Sequence, residues 1–153
     1  MLHIVLFEPE IPPNTGNIIR LCANTGMQLH LIKPLGFELE DKRMRRAGLD
    51  YLEWANVIIH DNYEKFKSKQ KPNRLFALST KGSKHYHQIS YQDGDYFIFG
   101  PETRGLPDHI LEELSETLLR IPMKQGSRSL NLSNTVAIMA FEALRQLNFT
   151  DCQ

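Results

Sequence analysis

The chain divides itself into short runs of alternating character, and that alternation restricts its possible folds more than any other feature. "LHIVLF" (2–7), "QLHLIK" (28–33), "NVIIHD" (56–61), "RLFALST" (74–80), "DYFIFG" (95–100) and "TLLRIPM" (117–123) are brief and mostly apolar. Such runs read as strands. Between them lie helix-like stretches near 15–25, at "YEKFKSK" (63–69) and "PDHILEELS" (107–115), and a long closing helix near 132–147. The charged "ELEDKRMRRAGLDYLEWA" (38–55) is expected to carry a further short helix. Strands alternating with helices predict an α/β fold, a mainly parallel sheet flanked by helices. No repeat, low-complexity tract or Gly/Ser linker interrupts the pattern, so one domain over 1–153 is expected. Ligands of such sheets gather beyond the carboxyl ends of strands. "STKG" (79–82), "GPETRG" (100–105) and "PMKQGSRSLNLS" (122–133) all follow strands and carry most of the chain's hydroxyl, amide and charged groups of interest.

"FGPETRGLP" (99–107) is the sharpest of these turns, with two glycines and two prolines around a carboxylate, a hydroxyl and a guanidinium. It is neither a Walker loop nor a dinucleotide fingerprint, and no G-x-G-x-x-G follows the first strand, which disfavours a dinucleotide-dependent oxidoreductase. Composition narrows the class further. Cys22 and Cys152 are the only cysteines, so neither a disulfide framework nor a cysteine metal site is expected, and a reducing, cytoplasmic setting fits. The apolar start "MLHIVLFEPE" is too short for a signal peptide or a membrane span. Eighteen Lys plus Arg balance eighteen Asp plus Glu, which counts against a non-specific nucleic-acid coat and leaves local charge placement to decide.

In "PPNTGNIIRLCANTG" (12–26) the prolines and Asn14 read as helix-start signals. A 100° wheel puts Ile18, Leu21, Cys22 and Thr25 on one face and Asn17, Arg20 and Asn24 opposite. That polar stripe is either a solvated face or a set of donors for phosphate and sugar oxygens. Lys42, Arg43, Arg45 and Arg46 form a basic cluster whose neighbouring acids can neutralise it. Lys81 and Lys84 stand beside His85, Tyr86 and His87, where no third ligand suggests a metal. "SRSLNLSN" (127–134) can cap the last helix and also face a ligand. The run from Val136 to Phe141 is apolar all round, and a helix of that kind must be covered all round. A second copy of the chain is the expected cover, giving a homodimer.

"NTGNIIR" (14–20), "FGPETRGLP" (99–107) and "IPMKQGSRSLNLSNTVAI" (121–138) resemble the three ordered motifs of the SPOUT superfamily of RNA methyltransferases. The likeness runs through the whole chain and is strongest to the short tRNA (cytidine/uridine-34) 2′-O-ribose methyltransferase subgroup, which lacks an added RNA-binding domain. It implies a C-terminal deep trefoil knot, which no general rule of chain topology would suggest. It implies S-adenosylmethionine as methyl donor and a tRNA anticodon stem-loop as partner, with leucine tRNA the expected substrate and no metal or membrane involved. By position, Leu78, Ser79, Thr80, Gly100, Glu102, Thr103, Gly105, Ile121, Met123, Ser129 and Leu130 would bind the cofactor. Arg20, Asn14 and Ser129 would be catalytic, with Asn131 a further candidate to fix the ribose or the cofactor's carboxylate end. Arg43, Arg45, Arg46, Lys81 and Arg128 would contact RNA. Glu102 has two open roles: bracing its loop through backbone N–H groups, or accommodating a sulfonium. Methylation of another tRNA or rRNA ribose, and a non-catalytic RNA-binding protein of the same fold, remain alternatives.

Overall fold

A computed structural model describes residues 1–39 and 56–153. Seven strands form one sheet: β1 (His3–Phe7), β2 (Gln28–Ile32), β3 (Val57–His60), β4 (Leu75–Leu78), β5 (Lys84–His85), β6 (Tyr96–Phe99) and β7 (Leu118–Arg120). Their spatial order is β3-β2-β1-β6-β4-β7-β5, and every pairing is parallel. The chain first winds outward from β1 to β3, then crosses to the other half of the sheet and inserts β6 between β1 and β4. The order reverses beside β1, and at such a point the loops on either side splay apart at the carboxyl ends and leave a crevice.

Among the described residues, four α-helices flank the sheet: α1 (Pro12–Thr25), α2 (Tyr63–Gln70), α3 (Asp108–Glu113) and α4 (Leu132–Gln146). The central strands β1, β2, β4 and β6 are buried on both faces, as the middle of a parallel sheet requires, and their alternate residues feed two separate cores. Ile4, Leu6, Leu29, Leu31, Phe97 and Phe99 pack with Ile18, Ile19 and Cys22 of α1 and Val136, Met139 and Ala140 of α4. Val5, Phe7, Ile32, Ala77 and Ile98 pack with Tyr63 and Phe66 of α2 and Ile110 of α3. Outside 38–55, the sequence-based strands and helices fall on observed elements, with ends shifted by a few residues. β5, two residues long, lies inside a stretch that reads as a loop. The short helix expected over 38–55 falls mainly outside the described residues.

Asn14 does not cap α1. The cap position belongs to Ile11, Pro12 and Pro13 open the helix, and Asn14 lies buried inside its first turn. Proline at the first helical position forfeits only a donor that would be unpaired anyway, which lets the helix begin earlier than its apolar spacing indicates. On the α2 side of the sheet a polar file crosses three strands. His3 Nδ1 lies 3.0 Å from His30 Nε2, and His30 Nδ1 lies 3.0 Å from His60 Nε2. Phe66 and Tyr96 close around it, with Tyr96 stacked on His3 at 3.9 Å.

Candidate functional site

A pocket of about 490 Å³ opens at the carboxyl edge of the sheet, beside the point where strand order reverses. Three loops wall it: the one after β4, the one after β6 and the long one between β7 and α4. The start of α1 closes it through Ile11 and Asn14. Its volume falls in the range of small-molecule and cofactor sites. The glycines bring these loops together. A Cβ on Gly100 would sit 2.3 Å from the Leu106 backbone nitrogen, so only glycine lets the turn after β6 fold back on itself. A Cβ on Gly82 would lie 2.6 Å from the carbonyl carbon of Leu119, so glycine also sets the approach of the β4 loop to β7.

Polar groups in the wall are held by one another. Asn131 caps α4, its Oδ1 accepting from the Ser133 and Asn134 N–H groups, and its Nδ2 donates to Asn14 Oδ1 at 3.0 Å. Because the cap fixes which end of the Asn131 amide is oxygen, it also fixes Asn14 with its carbonyl toward Asn131. Glu102 accepts the Glu10 N–H at 3.0 Å and the Ile11 N–H with its other oxygen. Both oxygens therefore engage backbone at the N-terminal end of α1, where the helix dipole favours a negative charge. Bracing is the role the contacts support. Ser79 Oγ accepts the Lys81 N–H at 3.1 Å, shaping the β4 loop.

Leu78, Ser79, Thr80, Gly100, Glu102, Thr103, Gly105, Ile121, Met123, Ser129 and Leu130 all line this one pocket, together with Asn14. Arg20 does not line it; it lies further along α1, half-buried, with Asn17 and Asn24 exposed on the same helix. Lys81 and Arg128 are exposed on the loops that form the rim. Arg43, Arg45 and Arg46 lie outside the described residues. Ile11, Phe99, Arg104 and Leu106 also line the pocket; the last three belong to "FGPETRGLP" but were not among the expected cofactor positions, and Ile11 gave no signal in the sequence. Glu10 was equally silent: in "EPE" it looks like a solvated loop acid, and its partner Thr103 is far along the chain. Among the described residues, no three His, Cys, Asp or Glu side chains gather as a metal site.

An open parallel sheet with a cofactor-sized pocket at its reversal point defines an α/β ligand-binding class. The profile of the SpoU rRNA Methylase family matches residues 1–141, and the chain belongs to that family. It is 64% identical over 150 residues to a tRNA (cytidine(34)-2'-O)-methyltransferase of Saccharophagus degradans, covering 97% of each protein. It is 61% identical to a tRNA (cytidine(34)-2'-O)-methyltransferase of Escherichia coli K12, covering 97% of this chain and 96% of that one. A solved structure described as giving insights into the 2-OH methylation of C/U34 on tRNA superposes with a TM-score of 0.90 at 44% identity, covering 97% of both chains. An AdoMet-bound rRNA methyltransferase from Sinorhizobium meliloti superposes with a TM-score of 0.83 at 28% identity, covering 95% of this chain and 56% of that one.

Proposed function

We propose that this protein methylates the ribose 2′-hydroxyl of the wobble nucleotide, cytidine or uridine 34, in tRNA, using S-adenosylmethionine. The observation that carries the reading is that every cofactor position implied by the resemblance lines one pocket, in a chain near-identical in length to the C34 methyltransferases it resembles. Leucine tRNA is the substrate we expect, in the cytoplasm. The chain acts as one domain over 1–153, its C-terminal part passing through a loop as a deep trefoil knot. The close packing of the 79–82, 100–105 and 121–131 loops around one pocket supports that path. A homodimer supplies the RNA surface, and an anticodon loop suits it because unstacked bases can be splayed and read.

The residues present fit the cofactor. Leu78, Ile121 and Leu130 offer apolar surface for a purine, and the glycine turns leave backbone groups close to the cavity. Among the described lining residues Glu102 is the one carboxylate and Arg104 the one guanidinium, so no cluster of cations opposes a sulfonium. S-adenosylmethionine supplies, when bound, an electrophilic methyl group for in-line displacement. The protein's share is alignment of the 2′-oxygen. A guanidinium is a poor proton acceptor, so Arg20 orients the hydroxyl and stabilises the charge that develops on its oxygen, while a substrate phosphate takes the proton. Asn14 and Ser129 hold the ribose.

The test is methylation of total tRNA with labelled cofactor, followed by nucleotide-resolved mapping. Label at ribose 34 is expected; label confined to another ribose, or none, refutes the assignment. Arg20→Ala is expected to bind RNA normally and lose about 100-fold or more in turnover.

A further inference from the structure

The β1–α1 loop and the loop after β6 are tied by two carboxylates that reach in opposite directions. Glu102 crosses to accept the N–H groups of Glu10 and Ile11. Glu10 crosses back: its Oε1 accepts the Thr103 N–H at 2.9 Å and the Thr103 hydroxyl at 2.7 Å. Arg104 stands outside this pair, 3.3 Å from Glu8 Oε1 and 3.8 Å from Glu10 Oε2. The need for such a tie is visible in α1. Its cap residue Ile11 has no side-chain hydrogen bond, and its first turn contains no acid. Glu102 supplies the missing negative charge from 91 residues away. Glu102 can do so only if the 100–105 turn is held still, and Glu10 holds its next residue, Thr103.

We propose that Glu10 is a positioning residue: by clamping Thr103 it seats Glu102 on the start of α1 and fixes Asn14 and Arg20 relative to the cofactor loop. This rests on the methyltransferase reading, since it assigns α1 to the ribose side and the loop after β6 to the cofactor side. Glu10 itself does not line the pocket, and its carboxylate is engaged by Thr103 and Arg104, so it acts through them. Slippage of α1 against the loop separates the reacting groups, and a misplacement of about 1 Å can cost about 100-fold in rate.

The experiment compares Glu10→Ala, Glu10→Gln and Thr103→Val in single-turnover methylation of tRNA, alongside tRNA KM, thermal midpoint and amide hydrogen exchange. Glu10→Ala is expected to lose about 100-fold in rate with tRNA KM unchanged. Glu10→Gln keeps an acceptor for the Thr103 N–H and is expected to recover to within about threefold of wild type. A Glu10→Ala enzyme within about twofold of wild type overturns the proposal, as does Glu10→Gln impaired as badly as Glu10→Ala. If Glu10→Ala does not fold, Glu10→Gln and Thr103→Val carry the test. Their rate effects must be non-additive, and additive effects overturn the clamp. Exchange at the Thr103 and Ile11 amides separates this from the function. Faster exchange in Glu10→Ala, with a wild type that transfers no methyl group, refutes the methyltransferase reading alone. Unchanged exchange and rate in an active wild type refutes the clamp alone.

Discussion

His30 is fully buried between His3 and His60, and a neutral imidazole has one donor and one acceptor nitrogen. The two hydrogen bonds can therefore form together only if all three rings share a tautomer sense along the file. Adding a proton to His30 places two N–H groups against one of its neighbours. Burial, reinforced by His3 and His60, pushes the His30 pKa down to about 3. Burial and the nearby N-terminal amine push His3 down to about 4 against an opposing pull from Asp93, and burial also lowers His60, with Lys69 adding to the effect. The fold thus keeps these rings neutral, while the unfolded chain protonates them near 6.5. Their contribution is complete above about pH 6.5 and drains away as pH falls toward the folded values, by up to about 1.4 kcal/mol per pH unit for His30. The more exposed His3 adds less, through solvent screening. Urea midpoints should fall between pH 7 and 5, and a flat profile contradicts the tautomer file. Asp95 makes a second residue-scale prediction. It is 2% exposed and accepts from Arg74 Nε at 2.8 Å and Nη2 at 2.6 Å. Asp95→Ala leaves that guanidinium with only the Ser90 carbonyl and removes the acceptor of the Gln92 N–H, and should cost about 2 kcal/mol in denaturant unfolding.

At the scale of elements, each helix start around the pocket is finished differently. α4 carries its own cap in Asn131, and "SRSLNLSN" showed that in advance because Asn before an apolar run is a local signal. Asn131→Ala should cost about 1 kcal/mol in thermal unfolding from the lost cap. It should also free Asn14 and so reduce activity beyond what the stability loss explains. α1 takes its charge from a distant loop, and no local pattern announces that. The turn after β6 depends on Gly100, where an added Cβ meets backbone that cannot rotate away. Gly100→Ala should therefore open the turn, and calorimetric titration should register weaker S-adenosylmethionine binding by about tenfold or more.

Across the whole molecule, the last helix presents Ile138 and Phe141 at 36% and 48% exposure, outside both cores. That outer apolar face agrees with the homodimer proposed above. Phe141→Glu should place a charge in that contact and convert a dilution-resistant dimer into a monomer by sedimentation. Neutral net charge leaves RNA binding to local cations. If Lys81 and Arg128 meet phosphates, replacing either with Ala should flatten the dependence of log affinity on log salt by about one. Affinity should fall alike for every tRNA, because phosphate contacts carry no sequence.

Strand and helix character, the α/β class and the three pocket-lining loops were legible in the residues, because apolar spacing, caps and glycine-proline turns act within a few positions. The motif residues of the pocket were legible through resemblance. Other features depended on contacts between distant parts of the chain: the strand order, the histidine file over three strands, and the Glu10–Thr103 and Glu102–Ile11 ties. Nothing in "EPE" or "HIVLF" distinguishes a tie between loops or a buried imidazole file from an ordinary loop or strand. A carboxylate or imidazole acquires such a role only when the tertiary fold places a donor within about 3 Å of it.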